Sequence, residues 1–150
     1  MYKIEEIKVV SLSVREFTEN RLSGPAEVAA LWRETVAQAK QYDPEKEHFA
    51  TYILNARNRV KSWQIVGQGI ADACLIHPRE VFRPAIVAAG SALIVAHNHP
   101  SGDTRPSPED LRVTRQLIET GKIIGIQVLD HVIIGDTFYS IREAGSVSFE

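Results

Sequence analysis

ALIVAHNHPSGDTRPSPEDLRVTRQLIETG, residues 92–121, is the stretch that decides the fold. Its opening, ALIVAH, is a short and nearly continuous apolar run, which fits a strand buried on both faces. The polar loop NHPSGDTRP follows. SPEDLRVTRQLIETG then reads as a helix, with Leu111, Thr114, Leu117 and Ile118 as its inner stripe and Gly121 as its expected stop. Ser107-x-x-Asp110 has the form of a capping box, with Pro108 at the first helical position. A buried strand feeding a helix is the unit from which sheets flanked by helices are built.

The same alternation extends in both directions. Downstream, IQVLDHVIIG and TFYSI form a hairpin joined through Gly135-Asp136. Upstream, HPREVFRPAIVAAG is a helix with Pro78 near its first turn, Pro84 inside it and Gly90 past its end. Before it, EHFATYILNARNRVKSWQIVGQG contains two strands around the turn residues Asn55 to Asn58, the second over about 60–66. Ser23 or Gly24 caps a further expected helix over about 25–41, with Val28, Leu31, Trp32 and Val36 at helical spacing and Asp43-Pro44 ending it. An N-terminal strand is expected within residues 3–14, carrying Val9, Val10, Leu12 and Val14. The expected class is α/β (α+β), a mixed sheet flanked by helices in the order β, α, β, β, α, β, α, β, β.

The bulk numbers fit one globular domain. The chain has 150 residues, 44% hydrophobic and 24% charged. A net charge of -2, without aromatic-basic interleaving, argues against direct nucleic-acid binding. Arg112, Arg115 and Lys122 read as a solvated helix face. The single cysteine, Cys74, allows no intramolecular disulfide and reads as a buried thiol. No signal-peptide core and no membrane span is found, so the expectation is a cytoplasmic protein. An exposed N-terminal strand would offer an edge for pairing with a second copy, a route to a homo-oligomer.

The residues that carry chemistry lie in AHNHPSGDTRPSPED. His97 and His99 are two apart at the end of a strand, so both imidazoles point the same way. The loop brings the chain back so that Asp110 can add an oxygen. Two imidazoles and a carboxylate suit zinc, and three protein ligands leave a fourth position for water, as in catalytic sites. Each piece also has a plain structural reading. The capping box alone explains Ser107 and Asp110, and an isolated H-x-H is more often structural. It is the combination that favours a metal. Asp130-His131 reads either as a structural pair on its strand, the favoured reading, or as groups behind the metal ligands. His77 reads as a helix-start residue, and His48 as facing polar surroundings.

The stretch H-x-H-P-x6-S-x-x-D resembles the JAB/MPN, or JAMM, metallopeptidase motif. HNHPSGDTRPSPEDLRVTR with GIQVLDHVIIGD, EHFATYILNARNRV and HPREVFRPAI are similar to the bacterial RadC group within it. The resemblance implies a cytidine-deaminase-like JAB/MPN architecture over residues 23–150, with residues 1–22 as a strand or extension. It implies that His97, His99 and Asp110 are zinc ligands and that Ser107 helps hold a tetrahedral intermediate. It also assigns Glu47 as the acid that activates water at the zinc. The residues alone do not separate Glu47 from Glu45 or Glu80.

The implied activity is a zinc-dependent hydrolase, a metalloprotease cutting a peptide or isopeptide-like amide in a peptide or protein substrate. Two alternatives stand beside it. One is a non-catalytic zinc-containing scaffold or DNA-associated binding module; the other is a zinc nuclease. Longer RadC proteins carry an N-terminal helix-hairpin-helix region associated with DNA binding, for which this chain offers no room. Deubiquitinating relatives usually place Ser or Thr between the two histidines. This chain has Asn98, so ubiquitin specificity is not transferred.

Overall fold

The computed structural model describes residue 3 and residues 21–69 and 75–150. The expected N-terminal strand with Val9, Val10, Leu12 and Val14, and also Cys74, lie outside the described residues. The described elements are α1 (Pro25–Glu34), β1 (His48–Leu54), β2 (Val60–Gln68), α2 (Pro78–Val87), β3 (Ala92–Asn98), α3 (Pro108–Ile124), β4 (Gln127–Ile134), β5 (Phe138–Ser140) and α4 (Ile141–Ala144), with a single 3-10 turn at Val36–Gln38 after α1. The strands form one mixed sheet in the order β2-β1-β3-β4-β5. Only β3 and β4 are parallel; β1 runs antiparallel to both β2 and β3, and β4 to β5. That parallel pair needs a crossover, and α3 supplies it. Among the described residues no helix is long and apolar enough to cross a membrane.

Strand periodicity explains the layers. Side chains alternate across a sheet, and in β1 and β3 every residue is buried. On one face Phe49, Ile53, Leu93 and Val95 pack with Val81 and Phe82 of α2 and Val113, Leu117 and Ile118 of α3. On the other Ala50, Tyr52, Leu54, Ile94 and Ala96 pack with Val28, Leu31 and Trp32 of α1. The sheet is therefore covered by helices on both sides, as the unbroken apolar run of β3 requires. Truncating a core residue such as Leu117 to alanine would cost about 2–5 kcal/mol.

Some local expectations hold and others are corrected. The helix expected over 25–41 stops at Glu34. There Thr35 turns its hydroxyl back to the Leu31 carbonyl at 2.6 Å and lies 2.9 Å from the Tyr52 hydroxyl, and the chain tightens into the 3-10 turn at Val36–Gln38. Ser23 is not the cap; it donates to the Glu27 carboxylate, and Gly24 holds the N-cap position. Gly121 is not the stop of α3. The helix runs to Ile124 and is capped by Gly125 at φ 82°. Gly121 is buried, and a Cβ there would lie 2.5 Å from the Ile126 carbonyl oxygen, so its hydrogen serves close approach to the start of β4. The helix expected to carry Pro84 is one element, α2, with His77 at its N-cap position. The short α4 has no counterpart in the expected element order.

Candidate metal centre

The site forms where β3 ends. His97 shares the face of Leu93 and Val95, beneath α3. The His99 N–H donates to the Ile134 carbonyl at 2.8 Å, which holds it extended one residue past the strand. The two side chains therefore stay on one side, and their Nε2 atoms are 3.0 Å apart. The loop then turns at Gly102, φ 85°, where a Cβ would lie 2.6 Å from the Asp136 carboxylate. The Asp136 N–H donates to the Gly102 carbonyl at 3.0 Å, pinning the loop to the β4–β5 turn.

The loop delivers the chain to α3, where the expected capping box forms. The Asp110 N–H donates to Ser107 Oγ at 3.0 Å, and the Ser107 N–H donates to Asp110 Oδ2 at 2.9 Å. The same carboxylate faces both imidazoles, with Oδ1 3.2 Å from His97 Nε2 and Oδ2 3.1 Å from His99 Nε2. Capping and clustering are thus compatible roles of one side chain.

Glu47 arrives from the start of β1. Its Oε1 lies 3.9 Å from His99 Nε2, and Glu47, His97 and His99 each offer one ligand atom within 4.8 Å of the others. These three residues can hold a metal ion. The Asp110 oxygens lie nearer to the imidazoles than the nearest glutamate oxygen does. Glu47 is 7% exposed, so it is not the solvated surface charge that its polar neighbourhood in sequence allowed. Asn98 places it: its amide donates to the Lys46 carbonyl at 2.9 Å, and its carbonyl accepts from the His48 N–H at 2.7 Å. The residue between the two histidines thereby grips the backbone on both sides of Glu47.

A cleft of about 460 Å³ opens over these groups. Glu47, His97, His99, Ser107 and Asp110 all line it, and Phe49, Leu75, Ile76 and Val113 give it an apolar wall. Burial opposes the charge of Asp110, but hydrogen bonds from His97 and His99 outweigh it and hold the carboxyl well below its ordinary range. The hydrogen bond to Asp110 raises the His99 imidazole, against partial burial. His131 is fully buried, and burial pushes its imidazole well below the ordinary value.

Asp130 and His131 are joined through the backbone, where the His131 N–H donates to the Asp130 carboxylate at 2.7 Å. Their side chains part, because consecutive strand residues face opposite ways. The Asp130 carboxylate accepts from Ser140 Oγ at 2.6 Å and from the Arg142 N–H at 3.2 Å, tying β4 to the start of α4. His131 Nε2 lies 2.7 Å from His97 Nδ1. The sequence signal was parity: His131 shares its face with Ile133, on the strand that pairs with β3. His48 is buried, with its ring nitrogens 3.0 Å from the Lys46 carbonyl and 3.3 Å from the Gln41 carbonyl, so its surroundings are polar as expected.

The profile of the RadC-like JAB domain matches residues 22–146. This chain belongs to the RadC-like JAB domain family. The mixed sheet flanked by helices agrees with the JAB/MPN fold. A UPF0758 protein of Rubrobacter xylanophilus is 44% identical over 124 residues, covering 83% of this chain and 52% of the relative. One from Alkaliphilus metalliredigens is 43% identical over 141 residues, covering 93% and 58%. An archaeal one, from Methanosarcina mazei, is 40% identical over 133 residues, covering 88% and 56%. The chain thus spans little more than half the length of these relatives. Their names state no activity, so within the RadC-like family the reaction has to be argued from the site.

Proposed function

We propose that this chain is a zinc-dependent hydrolase that cleaves a peptide or isopeptide-like amide. One observation carries the reading. Two imidazole nitrogens and the Asp110 carboxylate converge within 3.0–3.2 Å, with the Glu47 carboxylate at the edge of the same cleft. His97, His99 and Asp110 would be the protein ligands, a nitrogen and oxygen set that zinc favours over the harder cations. Residues 23–150 would form one domain carrying this site, with residues 1–22 as an extension.

Zinc bound there would polarise the substrate carbonyl and make water acidic enough to attack near neutral pH. Glu47 would accept the water's proton and return it to the leaving nitrogen. Ser107 Oγ already accepts from the Asp110 N–H, which leaves its own proton to donate to the developing oxyanion. The apolar wall of Phe49, Ile76 and Val113 would keep water away and receive an apolar part of the substrate. A peptide or protein is the substrate class this cleft suits.

Elemental analysis is the test, on the wild type and on a His97→Ala/His99→Ala variant. The expected result is about one zinc per chain, lost in the variant. Protein that holds no zinc when purified without chelator, and takes none up, would leave a metal-free, non-catalytic binding module in its place.

A further inference from the structure

We propose that Thr114 and His131 are positioning residues, forming a one-directional hydrogen-bond relay that holds His97 with a proton on Nδ1 and its Nε2 aimed into the cluster. The protons can be counted from a fixed end. The Asp110 backbone carbonyl can only accept, so Thr114 Oγ1, 2.6 Å away, donates to it. A hydroxyl has one proton. Thr114 Oγ1 must then accept from His131 Nδ1–H, also at 2.6 Å.

His131 is 0% exposed, and the neighbouring Asp130 carboxylate is turned away to Ser140, so the ring is neutral and carries that one proton. Its Nε2 is bare and accepts from His97 Nδ1–H at 2.7 Å. The other nitrogen of His97, Nε2, therefore faces the cluster. His99 is held the same way, because its Nδ1 donates to the Asp103 carbonyl at 2.7 Å. The two Nε2 atoms, 3.0 Å apart beside the Asp110 carboxylate, share a proton or, once both imidazoles are deprotonated, offer two lone pairs to a cation.

The relay begins and ends beside one residue. It starts on the Asp110 backbone carbonyl and ends on His97, whose Nε2 lies 3.2 Å from the Asp110 carboxylate. The helix that carries one cluster residue thereby sets the tautomer of another on the sheet. The Phe49 ring packs against both imidazoles, at 5.7 Å from His97 and 5.3 Å from His131, and restrains their rotation.

The metal-binding consequence rests on the hydrolase reading, but the ring nitrogens can be read without it. Nitrogen-15 NMR of the metal-free wild type should show protonated Nδ1 in both His131 and His97, and a bare Nε2 in His131. Thr114→Val removes the hydroxyl at nearly constant shape and should weaken zinc binding about 10–100-fold, while Thr114→Ser should stay close to wild type. A proton on Nε2 of His131, or none on Nδ1 of His97, in the metal-free wild type would overturn the relay. So would unchanged zinc affinity in a folded Thr114→Val protein. If that variant fails to fold, the wild-type ring nitrogens and the serine variant still decide. A wild type that takes up no zinc would defeat the hydrolase reading, while the protonation of the two rings would still decide the relay.

Discussion

Asn98 separates the two cluster histidines, and both ends of its amide hold the backbone around Glu47. Asn98→Ala would leave the buried His48 N–H without its partner, at about 1–3 kcal/mol, while the Lys46 carbonyl keeps the His48 ring nitrogen 3.0 Å away. The acid should then drift while His97, His99 and Asp110 keep their places. Lower stability in urea, full zinc occupancy and reduced kcat are expected together; wild-type kcat in that variant would remove Asn98 from any role in placing the acid. Glu47→Gln tests the acid itself. It keeps the shape and removes only the base, so zinc should remain and hydrolysis should fall by about 10²–10⁴. Turnover at the wild-type rate would end the assignment. Of these two residues only Asn98 lay inside a legible motif. Glu47 is 50 residues before His97 in a stretch with other glutamates, and it joins the site only because β1 pairs with β3.

At the scale of elements, α3 begins with one side chain in two roles. The Asp110 carboxylate closes the capping box and faces both imidazoles. Substitutions can separate the roles. Asp110→Ala should cost about 0.3–1.5 kcal/mol in the metal-free protein by opening the capping box, and should also abolish tight zinc binding. Asp110→Asn can still accept from the Ser107 N–H, so it should keep most of the stability and lose most of the affinity. Denaturation in chelator and zinc titration measure these separately. Unchanged zinc stoichiometry in the alanine variant would take Asp110 out of the ligand set. The capping box and β3 were legible because each is encoded within a few residues. The end of α1 was not, since Thr35 leaves the helix to meet Tyr52 of β1. The end of α3 was misread because glycine has two uses, and at Gly121 close packing against Ile126 outweighs helix termination. His131 was legible only in part: its parity with Ile133 puts it on a buried face, but the register that brings it to His97 is a property of the sheet.

For the whole molecule, the two perturbed histidines give stability a pH profile of predictable sign. His131 is depressed in the folded protein. Below its ordinary value of 6.5 the unfolded chain takes up a proton that the folded chain refuses, so stability falls on acidification, by up to about 1.4 kcal/mol per pH unit. His99 is raised in the folded protein. Its contribution is fully present below 6.5 and is lost as the pH rises through its raised value. The windows lie on opposite sides of 6.5, and from these two groups the metal-free protein should be most stable near that pH. Zinc reverses the alkaline limb. It binds deprotonated imidazole, so it displaces the proton on His99 and binds more tightly as the pH rises, and anything that binds only the folded state stabilises it. Urea denaturation from about pH 5.5 to 8.5, in chelator and in zinc, should show the two curves diverging toward high pH. His131→Gln should flatten the acid limb alone. A zinc increment no larger at about pH 8 than at about pH 6 would mean that no imidazole gives up a proton to the metal, and the cluster at the end of β3 would then be a hydrogen-bonded one.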